Sequence, residues 1–270
     1  MRTKKSAVKY IIEVLFCLIY IMPIWMVVVN SFKAREEANL MGLGLPDRFT
    51  LDNYAQIFAE GGVVRSFFNG LIQAGGSTLI VLLIGSLAAF VIARSGNKFI
   101  SNSYYIFLAG LIVPIAYIPT YLVLDTLNLL NTHTGYIFIH ATYGMPLAIF
   151  LYVAAIKGIP RELDEAAMLD GCGALNLYRS IIFPLLKTTT ATLLIFNFMG
   201  VWNDAQLPLF LLSGDKWALP LTINSFYGAH GQEWNLIFAD IVITVLPIAI
   251  VYIFAQKHIM AGMTAGAIKG

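Results

Sequence analysis

Apolar stretches long enough to cross a bilayer recur along this sequence, and no other feature constrains its fold as much. A hydrocarbon core of about 30 Å needs roughly 20 consecutive, mainly apolar residues in helical form. Six stretches reach that length, at approximately residues 8–32, 68–93, 104–124, 135–156, 185–212 and 236–255. Lipid offers no water to satisfy a free backbone N–H or C=O, so internally bonded helices are the expected form. Pro114, Pro119, Pro146, Pro208 and Pro247 lie within these stretches and are tolerated where neighbouring helices satisfy the freed groups. The charged fraction of 12% is about half that of a soluble domain. The expectation is an all-α membrane protein with six transmembrane helices in a single domain over residues 1–270.

Charge decides orientation. Twelve of the 17 Lys and Arg residues fall on the side of the two termini, among them Lys4, Lys5, Arg94, Lys157 and Arg161. Lys33, Arg35, Arg48, Arg65 and Lys216 fall on the other side. The bias predicts that both termini are cytoplasmic. A net charge of +2 gives no reason to expect nucleic acid. Cys17 and Cys172 are far apart and lack partners at ligand spacing, so free thiols and no metal site are expected. The first apolar run is longer than the roughly 7–15 residues of a signal-peptide core, which marks it as a retained span.

The segment between the first two stretches is long enough for a small helix. Asp52 is placed to start it, and Tyr54, Ile57 and Phe58 form its apolar side. Between the fourth and fifth stretches, residues 157–184 form the most polar connection on the terminal side. Pro160 suits a first helical turn, and Glu162, Asp164 and Glu165 suit the positive end of a helix dipole. Leu163, Ala166, Ala167 and Asp170 share one face, which the alanines keep flat enough for another protein surface to approach. Gly171 and Gly173 permit a sharp turn, and a second short helix carries Leu175, Tyr178 and Ile182 before Pro184 stops it. A helix–turn–helix platform outside the membrane is predicted.

Glu165-Ala166-Ala167, then Gly171, Ile181, Phe183 and Pro184 at their spacing, resemble the EAA loop. That loop is the signature of permease subunits of binding-protein-dependent (type I) ABC importers; Phe183 stands where the pattern usually has Leu. Further likeness, to the carbohydrate branch and to the six-span partner of the maltose-type heterodimer, lies in the run from Phe49 to Tyr54. It continues in Trp202-Asn203-Asp204, in Leu219-Pro220-Leu221 and in the ending from Met263.

The resemblance implies a division of labour. An extracytoplasmic solute-binding protein delivers a carbohydrate, with an oligosaccharide the first choice, to two permease subunits in a bacterial or archaeal cytoplasmic membrane. Two ATPase subunits supply ATP and Mg chemistry. This chain has no Gly-x-x-x-x-Gly-Lys-Ser/Thr phosphate loop and is expected to bind no cofactor and to be a non-catalytic transport subunit. Glu165, Ala166, Ala167, Asp170 and Gly171 are the implied ATPase-coupling residues. The tail, residues 256–270, ends in Met263–Gly270, which reads either as a segment reaching into the ATPase pair or as a frayed end.

Asn197, Trp202, Asn203, Asp204 and Gln206 cluster in the fifth stretch. Polar groups there face a bundle interior or a wet cavity, so they read either as translocation-pathway residues or as packing glue between subunits. Trp217, Tyr227 and Trp234 read either as a contact for the binding protein or as ordinary interfacial aromatics. His133, His140, His230 and His258 do not cluster in the sequence, and Asp240 reads as hydrogen-bonded structure rather than a proton relay. A sugar-phosphate, polyol or glycoconjugate remains the alternative solute. An ion-driven secondary transporter would need internal repeats and midplane ionisable groups, and neither is evident.

Overall fold

The structure, a computed structural model, describes the backbone of residues 2–59, 62–228 and 231–267, with side chains described from residue 9 to residue 253 apart from short gaps. It is almost wholly helical. In chain order the helices are α1 (Arg2–Asn30), α2 (Arg35–Ala38), α3 (Asp52–Ala59), α4 (Gly62–Arg94), α5 (Lys98–Gly110), α6 (Tyr117–Thr126) and α7 (His133–Lys157). They continue with α8 (Glu162–Leu169), α9 (Ala174–Leu177), α10 (Phe183–Leu185), α11 (Lys187–Trp202), α12 (Leu207–Leu211) and α13 (Trp234–Ala267). A π-helical turn, Tyr178–Ile182, joins α9 to α10. The pair Tyr227–Gly228 and Gly231–Gln232 forms a minimal antiparallel ladder.

The described residues contain four helical segments that are long and apolar enough to cross a membrane: Ile12–Asn30, Gly62–Arg94, His133–Lys157 and Trp234–Ile253. A fifth span results if Ala174–Leu185 and Lys187–Trp202, bent by 76°, act as one. Six uninterrupted spanning helices are therefore not seen among the described residues. The expected span at 104–124 is split into α5, 13 residues long, and α6, 10 residues long. At 1.5 Å per residue neither reaches more than about 20 Å. The break lies at residues 111–116, where Pro114 removes a donor and disfavours helical geometry at Val113. Pro119 causes no break, because it falls in the first turn of α6, where its N–H has no intrahelical partner to lose. The expected span at 185–212 is likewise divided after Trp202.

The chain divides into two compact units. In the unit made of residues 1–66 and 219–247, Asn53 is the central tie. Its Nδ2 donates to the carbonyls of Ser31 (2.8 Å) and Lys33 (2.9 Å), and its Oδ1 accepts from Asn235 Nδ2 at 2.7 Å. Tyr54 and Ser31 share a hydroxyl hydrogen bond of 2.7 Å, and Ile57 is buried. The predicted start at Asp52 is found, its N–H bonded to Thr50 Oγ1. The carboxylate of Asp240 is buried against Thr222 Oγ1, 2.9 Å from each oxygen, which fits the structural reading of that acid. The apolar window of α1 is only 6% buried, so its faces are left for lipid or another chain.

In the unit made of residues 67–218 and 248–270, α4 and α7 form the spine. Val81, Leu82, Ala89 and Phe90 of α4 meet Ala141, Ala148, Ile149, Tyr152 and Ile156 of α7. α5 and α11 also pack on α7, and α12 packs on α6. Small residues permit this closeness: a Cβ at Gly85 would sit 3.1 Å from that of Ala148, and one at Gly76 would sit 2.9 Å from Ile137 Cδ1. A half-buried side-chain bond, Tyr152 OH to Thr190 Oγ1 at 3.0 Å, fixes α7 to α11.

Candidate functional site

Two places in the second unit gather the residues singled out from the sequence. The first is the α8–α10 connection. Helix α8 ends in a Schellman turn: Cys172 N–H bonds to Ala167 O at 2.9 Å, and Gly171 N–H to Met168 O at 3.0 Å. Gly171 takes φ +79°, a left-handed geometry that a Cβ would strain. The predicted turn is thus present, but Pro184 does not stop the second helical stretch. Helical geometry continues through α10, and the chain turns at Leu186 instead.

The platform is fastened to the spine. Arg94, the last residue of α4, places Nε 2.7 Å from Asp164 Oδ2 and Nη2 3.3 Å from Oδ1. Nη2 also donates to the Ile159 carbonyl at 3.1 Å. Tyr178 OH lies 2.7 Å from Ser86 Oγ, with its ring against Phe90 and Phe183. Ala167, Leu177 and Ile182 belong to the same buried cluster as the α4 and α7 side chains.

This anchoring fixes the rotation of α8. Asp164 and Ala167 face inward, at 7% and 6% exposure, so Ala167 does not share an open face with Ala166 as the sequence suggested. Glu165, Ala166 and Asp170 are exposed, and beside them stand Met168 and Leu169, 60% and 90% exposed. Sequence reading missed Arg94 because its partner is 70 residues away.

The second place is a cleft of about 380 Å³ lined from α6, α7, α11 and the α11–α12 turn. Asn197, Asn203, Asp204 and Gln206 all line it; Trp202 does not. Trp202 points the other way, 1% exposed, its ring on Phe67 and Phe198 and close enough to Gly70 to leave a Cβ only 3.2 Å. Asn197 Nδ2 reaches Thr78 Oγ1 at 3.0 Å and Ser77 Oγ at 3.4 Å, so it ties α11 to α4 within this chain.

Asp204 turns the chain between α11 and α12: its Oδ1 accepts the N–H groups of Gln206 (2.9 Å) and Leu207 (3.2 Å). Its Oδ2 lies 3.0 Å from His140 Nε2 and accepts from Tyr136 OH at 3.3 Å. Gln206 Oε1 accepts from Tyr117 OH at 2.9 Å. Tyr143, bonded to Thr120 at 2.8 Å, completes the polar lining. His140, Tyr117 and Tyr143 were invisible as site residues, since only folding brings them to Asp204 and Gln206. The i, i+4 spacing of Tyr136 and His140, whose ring centroids lie 4.5 Å apart with the planes tilted by 59°, was the one available signal.

Residues 81–264 match the family described as binding-protein-dependent transport system inner membrane component. The chain belongs to this family. The permease is 36% identical to a probable starch degradation products transport system permease protein of Thermoanaerobacterium thermosulfurigenes, over 95% of this chain and 94% of the other. It is 37% identical to a multiple sugar-binding transport system permease protein of Streptococcus mutans, over 97% and 96%. In fold the permease resembles a chain of a bacterial ABC transporter that imports the acidic polysaccharide alginate, with TM-score 0.85, 19% identity and coverage of 94% and 96%.

The remaining expected residues of the permease are dispersed. Trp217 is half-buried, with Nε1 bonded to the Leu212 carbonyl at 3.3 Å, and its own carbonyl accepts from Asn69 of α4 at 3.0 Å. In the same loop Ser213 Oγ donates to Asp215 at 2.8 Å, and this bond holds the carboxyl below its ordinary range. Trp234 opens α13 in the other unit, its ring 5.8 Å from Phe238. The backbone of Tyr227 pairs with Gln232, while its side chain lies outside the described residues, as do all side chains of the tail, residues 256–270. The helical backbone of α13 continues to Ala267, beyond the expected span end at 255.

Proposed function

We propose that this permease is one of two transmembrane subunits of an ATP-driven importer of carbohydrate, with an oligosaccharide as the solute. The observation that carries the coupling role is the double character of the α8–α10 platform. Its inner face belongs to the same core as α4 and α7, while its outer face presents Glu165, Ala166, Met168 and Leu169 to solvent. A surface fastened in this way moves with the spans when a partner pushes on it, because close-packed interiors transmit displacement rather than absorb it.

The proposed partner is a pair of cytoplasmic ATPase subunits, which hydrolyse MgATP; this chain contributes no catalysis. Met168 and Leu169 supply apolar contact, Ala166 allows close approach, and Glu165 offers charge to a basic partner residue. The Schellman turn at Gly171 holds Asp170 and the second helical stretch in position. This role requires the platform and both termini on the cytoplasmic side, which the placement of Lys and Arg supports. Carbohydrate as solute is supported by the relatives named for starch products and multiple sugars. An extracytoplasmic binding protein delivers it, and Trp217, Tyr227 and Trp234 are the candidate contacts. The polar cleft around Asn197, Asn203, Asp204 and Gln206 lies on the translocation path.

Extraction from native membranes in mild detergent, followed by mass spectrometry of what accompanies the permease, tests this reading. A second permease and an ATPase are expected. Recovery of this chain alone or as a homo-oligomer, from a detergent shown independently to preserve such complexes, would overturn it.

A further inference from the structure

The chemistry of the cleft narrows the solute. Its side chains offer hydroxyl, amide, imidazole and one carboxylate, from Tyr117, Tyr143, Asn203, Gln206, His140 and Asp204, and no Lys or Arg is among the described residues that line it. The Asn203 and Gln206 side chains are exposed to the opening. Their amide groups retain hydrogen-bonding positions after their bonds to Met199 O and Tyr117 OH are made. Asp204 is committed to two backbone N–H groups, to Tyr136 and to His140, so it organises the wall and sets its charge.

With His140 neutral the wall carries one negative charge; with His140 protonated the pair sums to zero. In neither state do the described lining residues supply a free cation. Removing an anion from water without a partner charge is unfavourable, and a nearby carboxylate adds repulsion that a partly dry cleft screens poorly. Hydroxyl groups suffer neither penalty. Neutral sugars match such a lining, with apolar C–H faces against Leu147, Phe196 and the tyrosine rings and hydroxyls on the amides, the mixture that small-molecule sites use.

We propose that this cleft is a binding site for neutral glycan units and discriminates against anionic ones such as uronates and sugar phosphates. The permease therefore contacts its solute directly, and its selectivity differs in charge from that of a transporter of acidic polysaccharide with the same fold. This inference rests on the carbohydrate-importer reading and extends it to a named site.

Saturation-transfer NMR on the whole importer in nanodiscs, without binding protein, tests it. One sample receives a mixture of raffinose, maltotriose and cellotriose, and another receives trigalacturonate. Saturation of neutral-sugar protons is expected, reduced at least fivefold in the Asn203→Ala/Gln206→Ala double variant, with trigalacturonate at least tenfold weaker. Gly96→Ala, outside the cleft and with nothing within 4 Å of an added Cβ, serves as a control for general damage and should leave the signal unchanged. Equal saturation by trigalacturonate, no saturation by the neutral sugars, or a signal undiminished in the double variant would each overturn the proposal. ATP-dependent uptake of the same sugars with the binding protein present is measured in parallel. Uptake without a cleft signal removes only the site, whereas absence of sugar uptake removes the importer reading itself.

Discussion

The Arg94–Asp164 pair is the fastening on which the coupling account depends, and its removal has a calculable effect. The two side chains are 12% and 10% exposed and meet through two N–O contacts of 2.7 and 3.3 Å. Taking one partner from a buried pair costs roughly 3–5 kcal/mol, chiefly because the other charge is left without compensation. This pair sits at a helix end with some solvent access, which places Asp164→Ala at the lower limit, about 3 kcal/mol. Replacing both by apolar residues of similar size, Arg94→Met with Asp164→Leu, removes both charges and should cost about 1 kcal/mol or less. The loss falls on local opening of α8, not on membrane insertion. Three kcal/mol corresponds to about a hundredfold larger open population. Deuterium exchange of peptides covering residues 162–178, in the detergent-solubilised complex, reads it directly. The single variant should exchange about a hundredfold faster there than the wild type, and the double variant within tenfold of it. Exchange in Asp164→Ala within threefold of wild type, or a double variant as loose as the single, would refute the reasoning.

Other positions give independent tests. Asn53→Ala strands the carbonyls of Ser31 and Lys33 and the amide of Asn235. At about 1–3 kcal/mol for each unsatisfied buried group, a loss of about 3 kcal/mol is expected, seen as a lower unfolding midpoint of the purified protein. Gly171→Val should destabilise the turn by roughly 1–2 kcal/mol through its left-handed backbone alone, since no neighbour lies within 4 Å of a Cβ there. Import should fall with normal membrane insertion, and Gly171→Asn should be milder. At Gly144 an added Cβ collides with Asn197 Oδ1. Gly144→Ala therefore displaces Asn197 from Thr78, at about 1–3 kcal/mol of overpacking, and uptake by proteoliposomes should drop.

The parts of the fold legible in the sequence were those set by local rules. The long apolar runs of α1, α4, α7 and α13, the start of α3 at Asp52 and the left-handed turn at Gly171 all follow from propensity and spacing. The interruptions were hidden by composition: residues 111–116 and 203–206 are flanked by apolar residues, so hydropathy runs through them. Asp204 shows how this happens. One carboxylate capping two N–H groups starts a new helix inside an apolar stretch, and its few polar neighbours, Asn203 and Gln206, do not end the apolar run around it. The site was half legible. Asn197, Asn203, Asp204 and Gln206 were identifiable as polar groups in an apolar setting, but their partners on α4, α6 and α7 are 64 to 120 residues away. Trp202 was misjudged because a tryptophan beside polar residues gives no sign of which way the helix turns it. The rotation of α8, which buries Ala167 and exposes Met168 and Leu169, was likewise decided by Arg94, a residue outside the motif.

Short-range cross-linking tests the central claim that the outer face of α8 seats on an ATPase. In a Cys17→Ser/Cys172→Ala background, Met168→Cys, Leu169→Cys and Ala167→Cys are each labelled with a benzophenone maleimide in the intact membrane complex and irradiated, so that the photoprobe inserts into C–H bonds of whatever lies against it. The account predicts products joining the permease to the ATPase subunit from positions 168 and 169, and none from the inward-facing position 167. Failure of positions 168 and 169 to cross-link to an ATPase that co-purifies with the permease would contradict it.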